Sequence, residues 1–227
     1  MKEILEKTLS YLPQYFSDCG SIIVGPKTFV LNKVASEKLF ESKEYFLFLA
    51  PTVAIITIVS MLYPVHDEIY TELAKNFVLI FIDFVGYSFA VRGAFWLAGG
   101  RAPYEKFFAA YTYIASPMLL VNYLIALISN GLFRLLDPKA YDALPKAGSL
   151  AARSQIISDS AAAYVVYTFS AIDFCLIVLW SYMCWGAFRE INHLSKARPA
   201  VAFVIGWTLA VPILVLQALI ALAVAAP

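Results

Sequence analysis

The sequence predicts an all-α integral membrane bundle of five transmembrane helices, preceded by an amphipathic, interfacial N-terminal helix. The first observation behind this is composition, since 61% of the residues are hydrophobic and 15% are charged. Soluble domains carry about 45–50% apolar and about 25% charged residues. The second is a set of five apolar runs, and the third is an uneven distribution of lysine and arginine between the segments that join them.

The N-terminal segment, residues 1–44, is predicted to be a cytoplasmic region that precedes the transmembrane domain of residues 45–227. Within residues 1–16 the apolar side chains gather near one side of a helix, and most charged ones lie elsewhere. The apolar set is Ile4, Leu5, Leu9, Leu12 and Phe16. This pattern suits a helix on the inner membrane surface and equally a helical cap packed on the bundle. Residues 21–32 are apolar but are interrupted at Gly25-Pro26, which favours a shallow interfacial segment.

Five runs approach or exceed the ~20 apolar residues that a membrane-spanning helix needs. They are Tyr45–Tyr63, Asn76–Ala98, Phe107–Phe133, Ala161–Phe188 and Ala200–Ala226. Three contain an internal proline, at Pro51, Pro117 and Pro212, and each proline removes a backbone donor and bends its helix. Ser116 offers a hydroxyl that can satisfy a carbonyl freed beside Pro117.

Orientation follows from the lysines and arginines in the short connecting segments. Residues 1–44, 92–106 and 189–198 together hold about twelve, and the segments on the opposite side hold about five. This bias predicts a cytoplasmic N-terminus and a C-terminus on the other side of the membrane. The formal net charge of +1 provides no broad basic field, so nucleic acid is not expected as a partner.

Four polar residues inside the predicted spans form a candidate intramembrane site: Asp83, Asp173, Asn122 and Gln217. A charged aspartate at the bilayer centre costs about 2.5–3.5 kcal/mol on insertion scales, so both carboxyls should face protein, pair or be protonated. Two interpretations stay open. The carboxyls are hydrogen-bonded links between helices, or they line a cavity for a proton, a cation or a lipid headgroup. Both lie in an Ile-Asp-Phe string followed by Gly-Ala-Phe, but the unequal separations argue against an internal repeat.

Four cations near the inner boundary are candidate contacts for lipid headgroups: Arg92, Arg101, Lys106 and Arg189. Arg92 is predicted to extend toward the headgroups or a lipid phosphate. The three cysteines lack metal-site spacing and are interpreted as packing residues. His66 and His193 are expected to be solvated at span ends. No metal or cofactor is expected, and the lack of a GxSxG or HExxH pattern argues against an enzyme.

The stretch "GGRAPYEKFFAAYTYIASPMLLVNYL" resembles the signature of the Yip1 domain family, through Gly99, Gly100, Tyr104, Phe107, Tyr113, Ser116 and Pro117. Pro26 with Phe29, and the turn in residues 189–207, add to the resemblance. It implies five membrane-spanning helices and a cytoplasmic N-terminus, with no transferable catalytic residues. Because the chain lacks a long Pro/Gln-rich N-terminal region, the resemblance favours a bacterial inner-membrane member and puts binding of Rab-type GTPases in doubt.

The function expected on these grounds is that of a non-enzymatic scaffold or accessory subunit of a membrane protein complex, or of a protein that organises lipid. Membrane lipids and another membrane protein, or a second copy of the chain, are the expected partners. The alternative is a small permease or a lipid- or ion-handling protein that uses Asp83 and Asp173.

Overall fold

The structure is a computed structural model that describes residues 2–35, 44–62, 78, 80–147 and 149–224. These residues form helices and short connections, without strands. The helices are α1 (Lys2–Val24), α2 (Pro26–Ala35), α3 (Glu44–Leu62), α4 (Tyr87–Leu97), α5 (Tyr104–Leu136), α6 (Pro138–Ala143), α7 (Leu150–Asp159), α8 (Ala163–Ile191) and α9 (Arg198–Val224). A π-helical turn, Ile82–Gly86, precedes α4, and a 3₁₀ turn, Leu144–Lys146, follows α6.

The bundle is built from two main helix pairs, α4 with α9 and α5 with α8, and α3 also packs along α5. The connections at residues 98–103 and 192–197 meet at one end, because Asn192 lies against Gly100 and Arg198 lies against Gly99. We call this the turn end. Residues 137–162 lie at the opposite end, which we call the loop end.

Three described helices are long and apolar enough to cross a membrane: α5, α8 and the Arg198–Leu216 part of α9. This indicates a membrane protein. The first predicted span corresponds to α3, a helix of 19 residues, of which the side chains of Tyr45–Val59 are described and form an apolar segment. The second contains the π-helical turn followed by the short helix α4. Five crossings therefore stay a prediction.

The N-terminal helices α1 and α2 pack on the rest of the bundle. Tyr15 and Ile22 of α1 are fully buried, and the Tyr15 hydroxyl lies 2.7 Å from Thr52 Oγ1 on α3. Burial raises the pKa of Tyr15 well above its ordinary value. Of the two alternatives for this region, the described part therefore fits the packed helical cap, and the interfacial helix is not confirmed. The side chains of residues 1–9, which carry the start of the amphipathic pattern, lie outside the described part.

Helix α2 is held across α5 and α8 by charged contacts. Lys27 forms an ion pair with Glu190 at the end of α8, and its aliphatic stem lies over Gly186. Lys33 Nζ lies 3.2 Å from the buried carboxylate of Asp18 and 5.8 Å from the ring centre of Tyr113 on α5. The segment predicted to be shallow and interfacial thus forms the end of α1 and most of α2, joined at Gly25, and α2 packs against α5 and α8.

Aromatic rings from four helices form the core at the turn end. Phe95 of α4 is fully buried, and its ring centre lies 5.9 Å from that of Phe107, 5.4 Å from that of Phe188 and 5.6 Å from that of Phe203. These distances lie in the 4.5–7 Å range of favourable ring pairs. The core therefore joins α4, α5, α8 and α9 close to both turns.

The part of α5 around Pro117 is bonded to α8. Pro117 has no N–H to donate to the carbonyl four residues earlier. One residue further along, the carbonyl of Ile114 accepts a 3.0 Å hydrogen bond from Trp180 Nε1 of α8. Ser116, the hydroxyl expected to act here, has a buried Oγ without a hydrogen-bond partner in the described part. The tryptophan of the neighbouring helix thus bonds the carbonyl next to the one that Pro117 frees, and the described contacts do not include the bond expected of Ser116.

The loop end contains two short helices whose N-termini are capped by side chains. Asp137 caps α6, because its Oδ1 accepts the N–H of Ala140 at 3.0 Å. Its Oδ2 accepts the Ser160 hydroxyl at 2.6 Å. Ser149 caps α7 in the same way, through a 3.1 Å bond from the N–H of Ala152. Asp137, the first residue of this region, is therefore bonded to Ser160 near its end.

Candidate functional site

Asn122 and Asp173 form a polar pair between α5 and α8. In the amide orientation that satisfies its hydrogen bonds, Asn122 Nδ2 donates to Asp173 Oδ1 at 3.0 Å and to the Met118 carbonyl at 3.1 Å. Asp173 is ten residues into α8, about 15 Å from its start at 1.5 Å per residue. This is roughly half of a 30 Å hydrocarbon layer. Two of the four predicted intramembrane residues are therefore brought together.

The surroundings of Asp173 are open compared with the turn end. Asp173 and Asn122 are half-buried, and Val165 is the one buried residue among the seventeen of α8 between Ala163 and Leu179. Phe174 and Cys175, which follow the carboxylate, are exposed. Acyl chains can cover the apolar side chains of this surface, but they offer no hydrogen-bond donor to a carboxylate.

Asp83 occupies a different part of the bundle. It lies in the π-helical turn Ile82–Gly86, which packs against α9. A Cβ at Gly86 would lie 3.3 Å from Ile213 Cγ2, so the turn approaches α9 closely. The side chains of Asp83 and Gln217 lie outside the described part, and a bond between either of them and Asp173 stays untested. Short π-helical segments occur frequently at functional sites.

Arg92 makes protein contacts, although it was expected to extend toward lipid. Its Nη2 donates to the carbonyl of Ala102 at 2.7 Å, and its guanidinium carbon lies 5.9 Å from the ring centre of Phe107. The side chain thus bridges α4 and the start of α5. Its Nη1 is buried and has no hydrogen-bond partner in the part of the chain that is described.

The Gly99-Gly100 turn requires both glycines for steric reasons. The N–H of Gly99 donates to Trp96 O at 2.9 Å and that of Gly100 donates to Phe95 O at 2.8 Å, which is a Schellman ending. Gly99 has φ of +97°, a backbone region that favours glycine. A Cβ at Gly100 would lie only 2.6 Å from Asn192 Oδ1. The turn therefore lies in close contact with the end of α8.

The other three predicted headgroup contacts differ in their surroundings. Arg101 is exposed, and its Nη1 donates to the carbonyl of Gly100 at 3.2 Å. Lys106 is half-buried in the first turn of α5. Arg189 lies 3.7 Å from Glu190 Oε1, the carboxylate that also binds Lys27. Arg101 and Lys106 thus belong to the turn region, and Arg189 belongs to the contact with α2.

Sequence reasoning missed three residues that organise these regions. Trp180 looked like one more apolar residue of a span, and its bond to α5 depends on how two distant helices are rotated. Asn192 is buried and its Nδ2 donates to the Phe188 carbonyl at 2.9 Å. Arg198 was counted only as a charge, but its Nη1 lies against Gly99. An asparagine directly after the last apolar turn of α8 was the available signal for a helix end.

The described residues contain no group of three or more His, Cys, Asp or Glu that could hold a metal ion. Of the two histidines expected at span ends, His193 is exposed directly after α8, and His66 lies outside the described residues. Comparison with protein-family models, with curated proteins and with solved structures gives no match to this chain. The resemblance to the Yip1 domain family therefore gains no support and stays a prediction.

Proposed function

We propose that the chain is a non-enzymatic membrane scaffold that binds a transmembrane helix of another protein beside Asp173. The observation that carries this proposal is the half-buried Asp173 carboxylate, hydrogen-bonded to Asn122 between two otherwise apolar helices. One neutral amide leaves other acceptor positions of the carboxylate open. A partner helix with a hydroxyl, amide or cationic donor would fill them. Hydrogen bonds between membrane helices contribute about 0.6 kcal/mol on average and up to about 1.7 kcal/mol.

A different protein suits this position better than a second copy. Symmetric dimers bury the same patch of both subunits. A dimer through this surface would bring two carboxylates toward each other, and like charges disfavour ionisation of both. A helix that supplies a donor avoids that cost. In this proposal the turn end faces the cytoplasm of a bacterial inner membrane, which agrees with the positive charges there.

The proposal is tested by photo-crosslinking in native membranes, with the crosslinking amino acid at exposed Ser170, one helical turn before Asp173. We expect one stoichiometric protein adduct, with a yield that falls several-fold in Asp173→Asn. The matched control is Ser181→Ala, a small polar change further along α8, which should leave the adduct unchanged. Adducts only to lipid or only to a second copy, or equal yields in wild type and Asp173→Asn, would contradict the proposal.

The second candidate function is a small permease or lipid- or ion-handling protein. The π-helical turn at Asp83 favours it, because such turns recur at functional sites. Liposomes with the purified chain would be compared with liposomes that contain an Asp83→Asn, Asp173→Asn double variant. A proton or cation flux that disappears in the double variant supports this candidate. Equal flux in both preparations contradicts it.

A further inference from the structure

Three arginines converge on the short turn between α4 and α5. Arg92 Nη2 donates to Ala102 O at 2.7 Å, and Arg101 Nη1 donates to Gly100 O at 3.2 Å. Arg198, at the start of α9, reaches the same turn, since its Nη1 lies 2.9 Å from the point where a Cβ of Gly99 would be. Residues 99–102 are therefore contacted by three guanidinium groups, one from α4, one from the turn itself and one from α9.

The charge of this cluster is not neutralised by the described residues. Their ion pairs are Lys27 with Glu190, Lys33 with Asp18 and Arg189 with Glu190, and none involves the three arginines. Arg92 also lacks one hydrogen-bond acceptor, because its Nη1 is buried and has no partner in the described part. A buried donor without an acceptor is costly, and like charges around one turn repel each other.

The two helices that begin beside the cluster favour an anion, although the C-terminal ends of α4 and α8 lie at the same end of the bundle and oppose it. Helices α5 and α9 both begin at the turn end, at Tyr104 and Arg198. The N-terminal ends of helices carry a partial positive charge from their aligned peptide dipoles. Because Gly99 has no side chain, the left-handed turn itself presents only backbone atoms toward Arg198.

We propose that Arg92, Arg101 and Arg198 bind a phosphate group at the Gly99-Gly100 turn. Planar guanidinium groups match the oxygens of phosphate and donate pairs of hydrogen bonds to it. A bound phosphate would accept from Arg92 Nη1 and would offset the repulsion within the cluster. A phospholipid headgroup is one source of this chemistry, and free phosphate is the other.

The experiment measures binding of short-chain phosphatidylglycerol, below its micelle concentration, to the detergent-purified full chain by isothermal titration calorimetry. The main variant is Arg101→Gln with Arg198→Gln, because both side chains are exposed and the fold should persist. We expect its dissociation constant to rise at least about tenfold, the equivalent of losing one charge-assisted hydrogen bond. Arg92→Lys keeps the charge but loses the guanidinium fork, and we expect a smaller rise.

The matched control is Lys139→Gln with Lys146→Gln, two exposed cations at the loop end, which should bind like wild type. Competition by inorganic phosphate separates the sources. Displacement at equal affinity assigns the site to free phosphate, and retention of the lipid assigns it to a headgroup. Equal dissociation constants for wild type and the main variant, or an equal loss in the control, would overturn the site. Asp173→Asn should bind like wild type, so this test is independent of the proposed scaffold function.

Discussion

The two halves of α5 have similar residue types but very different surroundings. In its first half most residues from Phe107 to Pro117 are buried, beneath α2, α3 and α8. In its second half, from Met118 to Leu136, Ser129 and Phe133 are the buried residues. Helix α8 repeats the contrast, with its buried residues concentrated between Cys184 and Ile191 at the turn end.

This contrast distinguishes the surface that is covered by neighbouring helices from the surface that is open to lipid. At the turn end, side chains of neighbouring helices fill the space around each ring, so shape and close contact determine stability. Toward the loop end the apolar side chains of α5 and α8 suit acyl chains, which require no particular shape. The Asn122–Asp173 pair is the exception there, because lipid cannot satisfy a carboxylate. Four comparisons test this distinction. Some compare a variant at the turn end with a variant in the open region, and the others compare one variant with its control.

The largest effect is expected from Phe95→Ala, because it opens a cavity among rings of four helices. Removal of a fully buried phenylalanine costs about 3–5 kcal/mol. Phe174→Ala, in the open half of α8, removes a ring that is 57% exposed and should cost about 1 kcal/mol or less. Unfolding of both variants by denaturing detergent, followed by tryptophan fluorescence, measures the difference. Equal losses would show that the open half is as closely packed in solution as the turn end.

Two glycine-to-alanine variants form the second comparison, and we expect them to change stability in opposite directions. In Gly100→Ala the new Cβ would lie 2.6 Å from Asn192 Oδ1 and 2.8 Å from the Phe95 carbonyl. We expect a loss of about 1–3 kcal/mol from overpacking. Gly131→Ala meets nothing within 4 Å inside α5 and should gain about 0.5–1 kcal/mol. The same unfolding titration measures both, and a stable Gly100→Ala would contradict the close turn geometry.

Trp180→Phe tests the bond between α5 and α8 near Pro117, where the two regions meet. The substitution keeps most of the ring but removes the N–H that donates to Ile114 O. We expect a loss of about 1 kcal/mol, the usual net value of one hydrogen bond. Trp207→Phe, at a partly exposed ring of α9, serves as the control and should change stability less. Hydrogen exchange should also rise in α5 near Ile114 only in the Trp180 variant.

The smallest effect concerns pH at the loop end. The Ser160 hydroxyl and the Ala140 N–H, in that order, hold the pKa of Asp137 below its ordinary value. Because the folded-state pKa is depressed, the stabilisation is present above the unfolded value of about 3.9. It is lost as pH falls through the folded-state pKa. The protection factors of amides in residues 138–160, which correct for the intrinsic slowing of exchange in acid, should therefore fall in acid for wild type and change less with pH in Asp137→Asn. Identical pH profiles would contradict the cap.

Much of the helical framework could be predicted from the sequence. Each of the five apolar runs overlaps a described helix, and three of those helices meet the length and composition of a membrane crossing. For the N-terminal region the sequence left two alternatives, a helix on the membrane surface and a helical cap packed on the bundle, and the reason is physical. An apolar helix face is the same whether lipid or protein covers it, so the pattern of α1 could not distinguish them. The burial of Tyr15 against Thr52 required the position of α3.

The candidate site was predictable as a set of residues but not as an arrangement. Asn122 and Asp173 were singled out because polar groups are costly at that depth, and that argument holds for each residue separately. Their bond depends on the rotation and registry of α5 against α8, which no local pattern specifies. Arg92 shows the same limit, since its acceptor is a backbone carbonyl ten residues away, in the connection that follows α4. The π-helical turn at Asp83 also lacks a sequence signal of its own.

The ion pair between Lys27 and Glu190 has a consequence for how the chain is made. Helix α2 leaves the ribosome long before α8, the helix to which Lys27 binds. During synthesis the face of α2 that packs on α8 therefore stays uncovered until the end of α8 has been made. A nascent chain that ends before residue 186 should keep residues 26–35 more open to protease than the full-length chain does.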